Sequence, residues 1–209
     1  EYINKMKRTV KIDTIDIHNA YISAEILGKN AKETGFIDFT KVNAKITSLN
    51  NDLKSVTKDQ ETTIKASGYL IDKSLITASM HIPIASKNKE YVYGGSLDTF
   101  DVKDLNPYLE NLFFVSIKDG IVNNINFTIN LNEDYAMGKL NMDYHHLKLD
   151  LLNIKKSDSL QIENRGLFSL VANSIIKDSN PRYNGGFLKE GRVYFERNVY
   201  KPVINYWIL

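Results

Sequence analysis

Residues 93–153 read YGGSLDTFDVKDLNPYLENLFFVSIKDGIVNNINFTINLNEDYAMGKLNMDYHHLKLDLLN, from Tyr93 to Asn153. Two long alternating runs dominate this stretch, Ile121 to Leu131 and Ala136 to Leu152, with Asn132, Glu133 and Asp134 as a polar turn between them. Ile125, Phe127, Ile129 and Leu131 fall on one parity, and Asn124, Asn126, Thr128 and Asn130 on the other. A period of two with apolar residues on one parity marks antiparallel strands with one dry and one wet face. Strands this long must be covered, either by a second layer of protein or by something apolar that is not protein.

Working outward, the same rhythm recurs. Val10 to Ile17 and Ala20 to Leu27 read as the first strand, and Phe36 to Leu49 as the second, with Val42, Ala44 and Ile46 on one side. Thr62 to Ile71, Leu75 to Ile84 and Tyr91 to Phe100 follow, with Asp72-Lys73 as a hairpin turn and Gly94-Gly95 as a bulge signal. Pro83 lacks an amide donor and belongs at a strand end or edge. Asp104 to Asn111 reads as a short helix, with Asn106 as its N-cap and Pro107 at its first position. Phe113 to Ile117 opens the paired strands, and Asp119-Gly120 reads as a turn.

A second helix is expected over Leu167 to Lys177, stopped by Pro181, and a last strand over Gly191 to Arg197. The fold class is mainly β: one long meandering antiparallel sheet, curled into an open groove or paired as a sandwich, with one or two short helices. Residues 1–209 are expected to form a single all-β domain.

Composition narrows function by exclusion. The chain of 209 residues carries 27 basic and 25 acidic side chains, a net charge of +2, without the concentrated basic excess of a nucleic-acid binder. It has no cysteine, so disulfides, thiolate metal sites and cysteine nucleophiles are out. No nucleotide loop of the GxGxxG or GxxxxGK type and no GxSxG elbow occurs. Neither a cofactor nor a metal is expected. His145 and His146 are neighbours on a strand and are expected to face opposite sides, which would deny them a shared metal. The acidic residues fall mostly on polar faces or in turns, so no pair of catalytic carboxylates stands out.

No apolar stretch reaches the ~20 residues of a membrane-spanning helix, and no signal peptide is visible. The chain begins with Glu1 and reads as a piece of a longer protein. Apolar surface is left as the functional candidate. The segment Tyr200 to Leu209, with Tyr206 and Trp207, reads either as a final element packed on the sheet or as an interfacial segment leading to a membrane.

From about residue 93 onward the chain resembles the C-terminal region of AsmA-like proteins of Gram-negative envelopes. The resemblance rests on an ordered series: Leu97-Asp-x-Phe100, Leu105-Asn-Pro107, Val115-x-Ile117-x-x-Gly120, Gly138-x-Leu140 and Tyr144-x-x-Leu147-x-Leu149-x-Leu151-Leu152. Ala172-Asn173, Asn180-Pro181 and Gly191-Arg-Val-Tyr-Phe-Glu-Arg197 continue it. That family is similar to the bridge-like lipid-transfer proteins, whose β-sheet troughs carry phospholipid across the periplasm from an inner-membrane anchor.

The resemblance implies a non-enzymatic periplasmic protein of lipid transfer or outer-membrane homeostasis. Its membrane attachment would lie outside this chain or in the Tyr200–Leu209 tail. Its lipid-facing residues would be Ile125, Phe127, Ile129, Leu131, Leu140, Met142 and Tyr144. The rival readings are a β-sandwich binding or adhesion module of the cell surface and a carbohydrate-binding protein, the latter because the chain holds 12 tyrosines.

Overall fold

The computed structural model describes residues 8–26, 34–85, 90–152 and 177–197. They form one open antiparallel sheet of nine strands that does not close into a barrel. The strands are β1 (Lys11–Ile26), β2 (Gly35–Asn50), β3 (Glu61–Leu70), β4 (Ser74–Pro83) and β5 (Tyr91–Leu97). A two-residue β6 (Phe100–Asp101), β7 (Val115–Leu131), β8 (Tyr135–Leu151) and β9 (Gly191–Glu196) complete it. The order in space is β1-β2-β3-β4-β5-β7-β8-β9, with β6 also pairing β7. Among the described residues there is no second sheet, so of the two architectures left open by the pattern the sandwich falls away.

Local chemistry explains the joints. Between β3 and β4, Ile71 and Asp72 both have positive φ, 47° and 57°, and the Lys73 amide donates to the Leu70 carbonyl at 3.0 Å. That is the primed turn whose twist matches flanking strands, here carried by a β-branched residue that adopts it at a cost. Pro83 is the last residue of β4, where its missing amide does least harm.

Among the described residues one α-helix, α1 (Asn106–Phe113), follows a 3-10 turn over Val102–Leu105. Asn106 is not its N-cap: Leu105 occupies that position, and Asn106 is the first helical residue, ahead of Pro107. The Asn106 amide turns instead to the backbone of Ile117.

Three other expectations are corrected. Asp119-Gly120 does not turn the chain; it is an irregularity inside a continuous β7, and Gly120 takes φ +143°, a conformation that suits glycine. Gly94-Gly95 is not a bulge, because both residues hold regular register with Ser79 and Ala78 on one side and Thr128 and Phe127 on the other. His145 and His146 do not simply alternate: His146 is left-handed (φ 57°), and the two rings meet edge to face with centroids 5.0 Å apart. The expected helix over 167–177, apart from Lys177, and the 200–209 tail lie outside the described residues.

The sheet is bent. Strands β2 and β7 are four spacings apart, about 19 Å if the sheet were flat, whereas a helix with its side chains is about 10–12 Å across. Yet α1 packs against both, and the Asn111 side chain donates to the Thr34 carbonyl just before β2 at 3.2 Å. The sheet therefore wraps around α1 at one end of its strands. Leu70, Leu97, Val115, Ile117 and Val122 are buried there, with Leu105 and Leu109 packed against them.

Candidate functional site

Residues opposite one another in antiparallel strands share a face, so the register maps the two surfaces directly. One line of partners runs Ile15, Ile46, Ile64, Met80, Tyr93, Ile129, Gly138, Val193 across eight strands. The adjacent line runs Ile17, Ala44, Ala66, Ala78, Gly95, Phe127, Leu140, Gly191. Both are apolar throughout. On the opposite face the line Asp16, Lys45, Lys65, Ser79, Gly94, Thr128, Lys139, Arg192 carries charge and hydroxyl.

The second line is low in the middle. Ala44, Ala66, Ala78 and Gly95 lie in register on β2 to β5, and side chains that small leave a furrow crossing the strands. The line Ile46, Ile64, Met80 and Tyr93 runs along one side of it, with Met80 buried. On the other side lies the cluster under α1, to which Ile76 and Leu97 belong. At β7 the floor rises. A Cβ on Gly95 would lie 2.8 Å from Phe127 Cζ, so the Phe127 ring leans over Gly95 and ends the furrow. Tyr93 meets that ring edge-on, with centroids 5.0 Å apart and planes at 63°.

The seven residues singled out from the sequence all fall on this face. Ile125 pairs with Met142 and Phe127 with Leu140, and between Ile125 and Leu131 the register with β8 is unbroken. They are not equivalent, however. Ile125, Met142 and Tyr144 pack against the cluster beside α1. Phe127, Ile129 and Leu140 are half-buried along the furrow. Leu131 is only 2% exposed, enclosed with Ala136 by Tyr91, Tyr93, Ile129 and Phe195, and belongs to the core at the far strand end.

The floor alanines, Met80 and Tyr93 were missed as site residues. Each alternates correctly within its own strand, but only the inter-strand register puts them in one line.

Burial pushes the Tyr93 phenol above its ordinary pKa, and does the same at Tyr108 on α1. Tyr144 is raised by burial first and then by the negative charge of Asp178. Its hydroxyl donates to the Lys177 carbonyl at 3.2 Å. Among the described residues no three His, Asp or Glu side chains gather as a metal site, and no helix is long and apolar enough to cross a membrane. A face of this kind can hold an apolar partner by excluding water from it.

Compared with family models, curated proteins and solved structures, the chain matches none.

Proposed function

We propose that the furrowed face carries the acyl chains of lipid, and that the protein acts without catalysis in lipid transfer or outer-membrane homeostasis in the periplasm of an AsmA-like system. One observation carries this reading. Two adjacent lines of apolar residues run across eight strands of one sheet, and among the described residues α1 roofs only one end of that face. Contiguous apolar surface of this extent requires a partner. A furrow floored by alanine and glycine suits a slender flexible chain, and each methylene it removes from water contributes about 0.8 kcal/mol. A trough of this kind needs no reactive group, and attachment to the inner membrane falls to segments beyond the described residues.

Lipid mass spectrometry of the protein purified from bacterial cells tests this. The expected result is near-stoichiometric phospholipid in the wild type and its loss in Phe127→Asp protein that still folds. A lipid-free wild-type protein, stable and monomeric, would overturn it.

A further inference from the structure

Beyond the furrow, the segment from Lys177 to Gly191 forms a built loop along the edge of β8. Asn180 organises it. Its backbone pairs with Tyr144 in both directions at 2.8 and 2.9 Å. Its side-chain Nδ2 donates to the carbonyls of Met142 and Lys189, each at 2.9 Å, while Oδ1 accepts from the Lys189 amide at 2.8 Å. The Leu147 amide donates to the Asp178 carbonyl at 2.7 Å. The loop and Tyr144 line an open cavity of about 580 Å³.

Two features of the rim point outward together. Phe187 is 98% exposed and Tyr183 70%, with Leu188 beside them also exposed. Lys177, Arg182 and Lys189 line the same cavity. Of the two acids nearby, Glu190 is engaged by Lys139 at 3.2 Å, and the charge of Asp178 contributes to raising the Tyr144 phenol. Phe187, Tyr183 and Leu188 expose apolar surface together on one hydrogen-bonded loop, and grouped rather than single exposed apolar side chains mark an interaction surface. Aromatic side chains flanked by cations suit one environment: the boundary between anionic head groups and acyl chains.

The geometry points to this loop as a membrane-docking element. In it Phe187 and Tyr183 enter the interface of an anionic bilayer, and Lys177, Arg182 and Lys189 hold lipid phosphates at the cavity. The loop joins β8 at Tyr144 and Met142, so docking brings the bilayer to the edge of the apolar face. The inference rests on the loop alone and stands apart from lipid carriage in the furrow.

Flotation with vesicles tests it. The purified protein is mixed with vesicles of phosphatidylcholine alone or phosphatidylcholine with phosphatidylglycerol. Binding is expected only to the anionic vesicles, and is expected to weaken strongly in ~1 M salt. Phe187→Ser and the pair Arg182→Gln with Lys189→Gln are each expected to weaken it, the pair by about fivefold per charge removed. These side chains are exposed, so circular dichroism should match the wild type. Phe127→Asp protein should float as the wild type does, which separates docking from cargo. Equal binding to neutral vesicles, undiminished binding by both variants, or displacement by millimolar inorganic phosphate would overturn the proposal, the last by showing a phosphate site without a membrane role.

Discussion

The side-chain amide of Asn106 meets the backbone of Ile117 at both of its polar groups: the Ile117 amide donates to Oδ1 at 2.7 Å, and Nδ2 donates to the Ile117 carbonyl at 2.9 Å. An asparagine here imitates a neighbouring strand and fastens the first residue of α1 to the start of β7. Removing it orphans two backbone groups. Asn106→Ala is expected to cost about 1–3 kcal/mol, and Asn106→Asp, which keeps one acceptor but sets a second carboxylate oxygen against the Ile117 carbonyl, to be destabilising as well. Urea unfolding followed by circular dichroism measures both. Equal stability of Asn106→Ala and wild type would mean that α1 is held by its apolar contacts alone.

Filling the furrow tests the site more gently than charging it. Ala66 is half-buried at mid-floor, and Ala66→Phe adds apolar bulk where lipid is proposed to lie. The expected outcome is a folded protein with much less co-purified lipid. Lys65→Phe, one residue away on the opposite face, should leave lipid content unchanged. Equal lipid in both variants would place the acyl chains elsewhere.

Leu131 and Phe127 share a face but not a role. Leu131→Ala is expected to cost about 2–5 kcal/mol, as for other enclosed leucines, and Leu131→Asp to prevent folding. Phe127→Asp should be tolerated better, because its ring is only half-buried. Thermal melts of the three proteins decide this; a Phe127→Asp protein as damaged as Leu131→Asp would make the furrow an ordinary core.

Asp72 and Lys41 provide a test by pH. The Lys41 ammonium, 2.9 Å from Asp72, and then the Thr40 hydroxyl hold the Asp72 carboxyl below its usual range, and Asp72 in turn raises Lys41. The depressed acid contributes stability above its unfolded pKa, and that contribution is lost as pH falls through the folded value. The raised amine contributes below its unfolded pKa and loses its share as pH rises through the folded one. The pair therefore acts across the neutral range, weakly, since both groups are open to solvent. Carboxyl-carbon NMR should show the Asp72 midpoint climbing toward the ordinary value in Lys41→Met.

The strands were legible because alternation is a strong signal: Ile125, Phe127, Ile129 and Leu131 announce their face without help. The interruptions were less so. Between Ile17 and Ile22, Phe39 and Val42, and Tyr144 and Leu147, apolar residues of one face are separated by an odd number of positions. The structure places a left-handed residue in each gap: Asn19, Lys41 and His146. That odd spacing is a readable trace of a bulge, yet it resembles noise until the partner strand is known. The furrow was invisible for a related reason. An alanine on one strand means little, and only register shows Ala44, Ala66, Ala78 and Gly95 to be neighbours.

The meander has a consequence for how the molecule is made. Apart from the two-residue β6, each strand from β1 to β9 bonds to the next one in the chain. From β1 to β5 the sheet can therefore grow hairpin by hairpin as the polypeptide emerges, without waiting for a distant segment, whereas β7 and β9 pair only after longer intervening stretches. The hydrogen bond from Asn111 back to Thr34 breaks that order, spanning 77 residues. Assembly is then vectorial up to the arrival of α1, whose seating against β2 draws the growing ribbon into its curve.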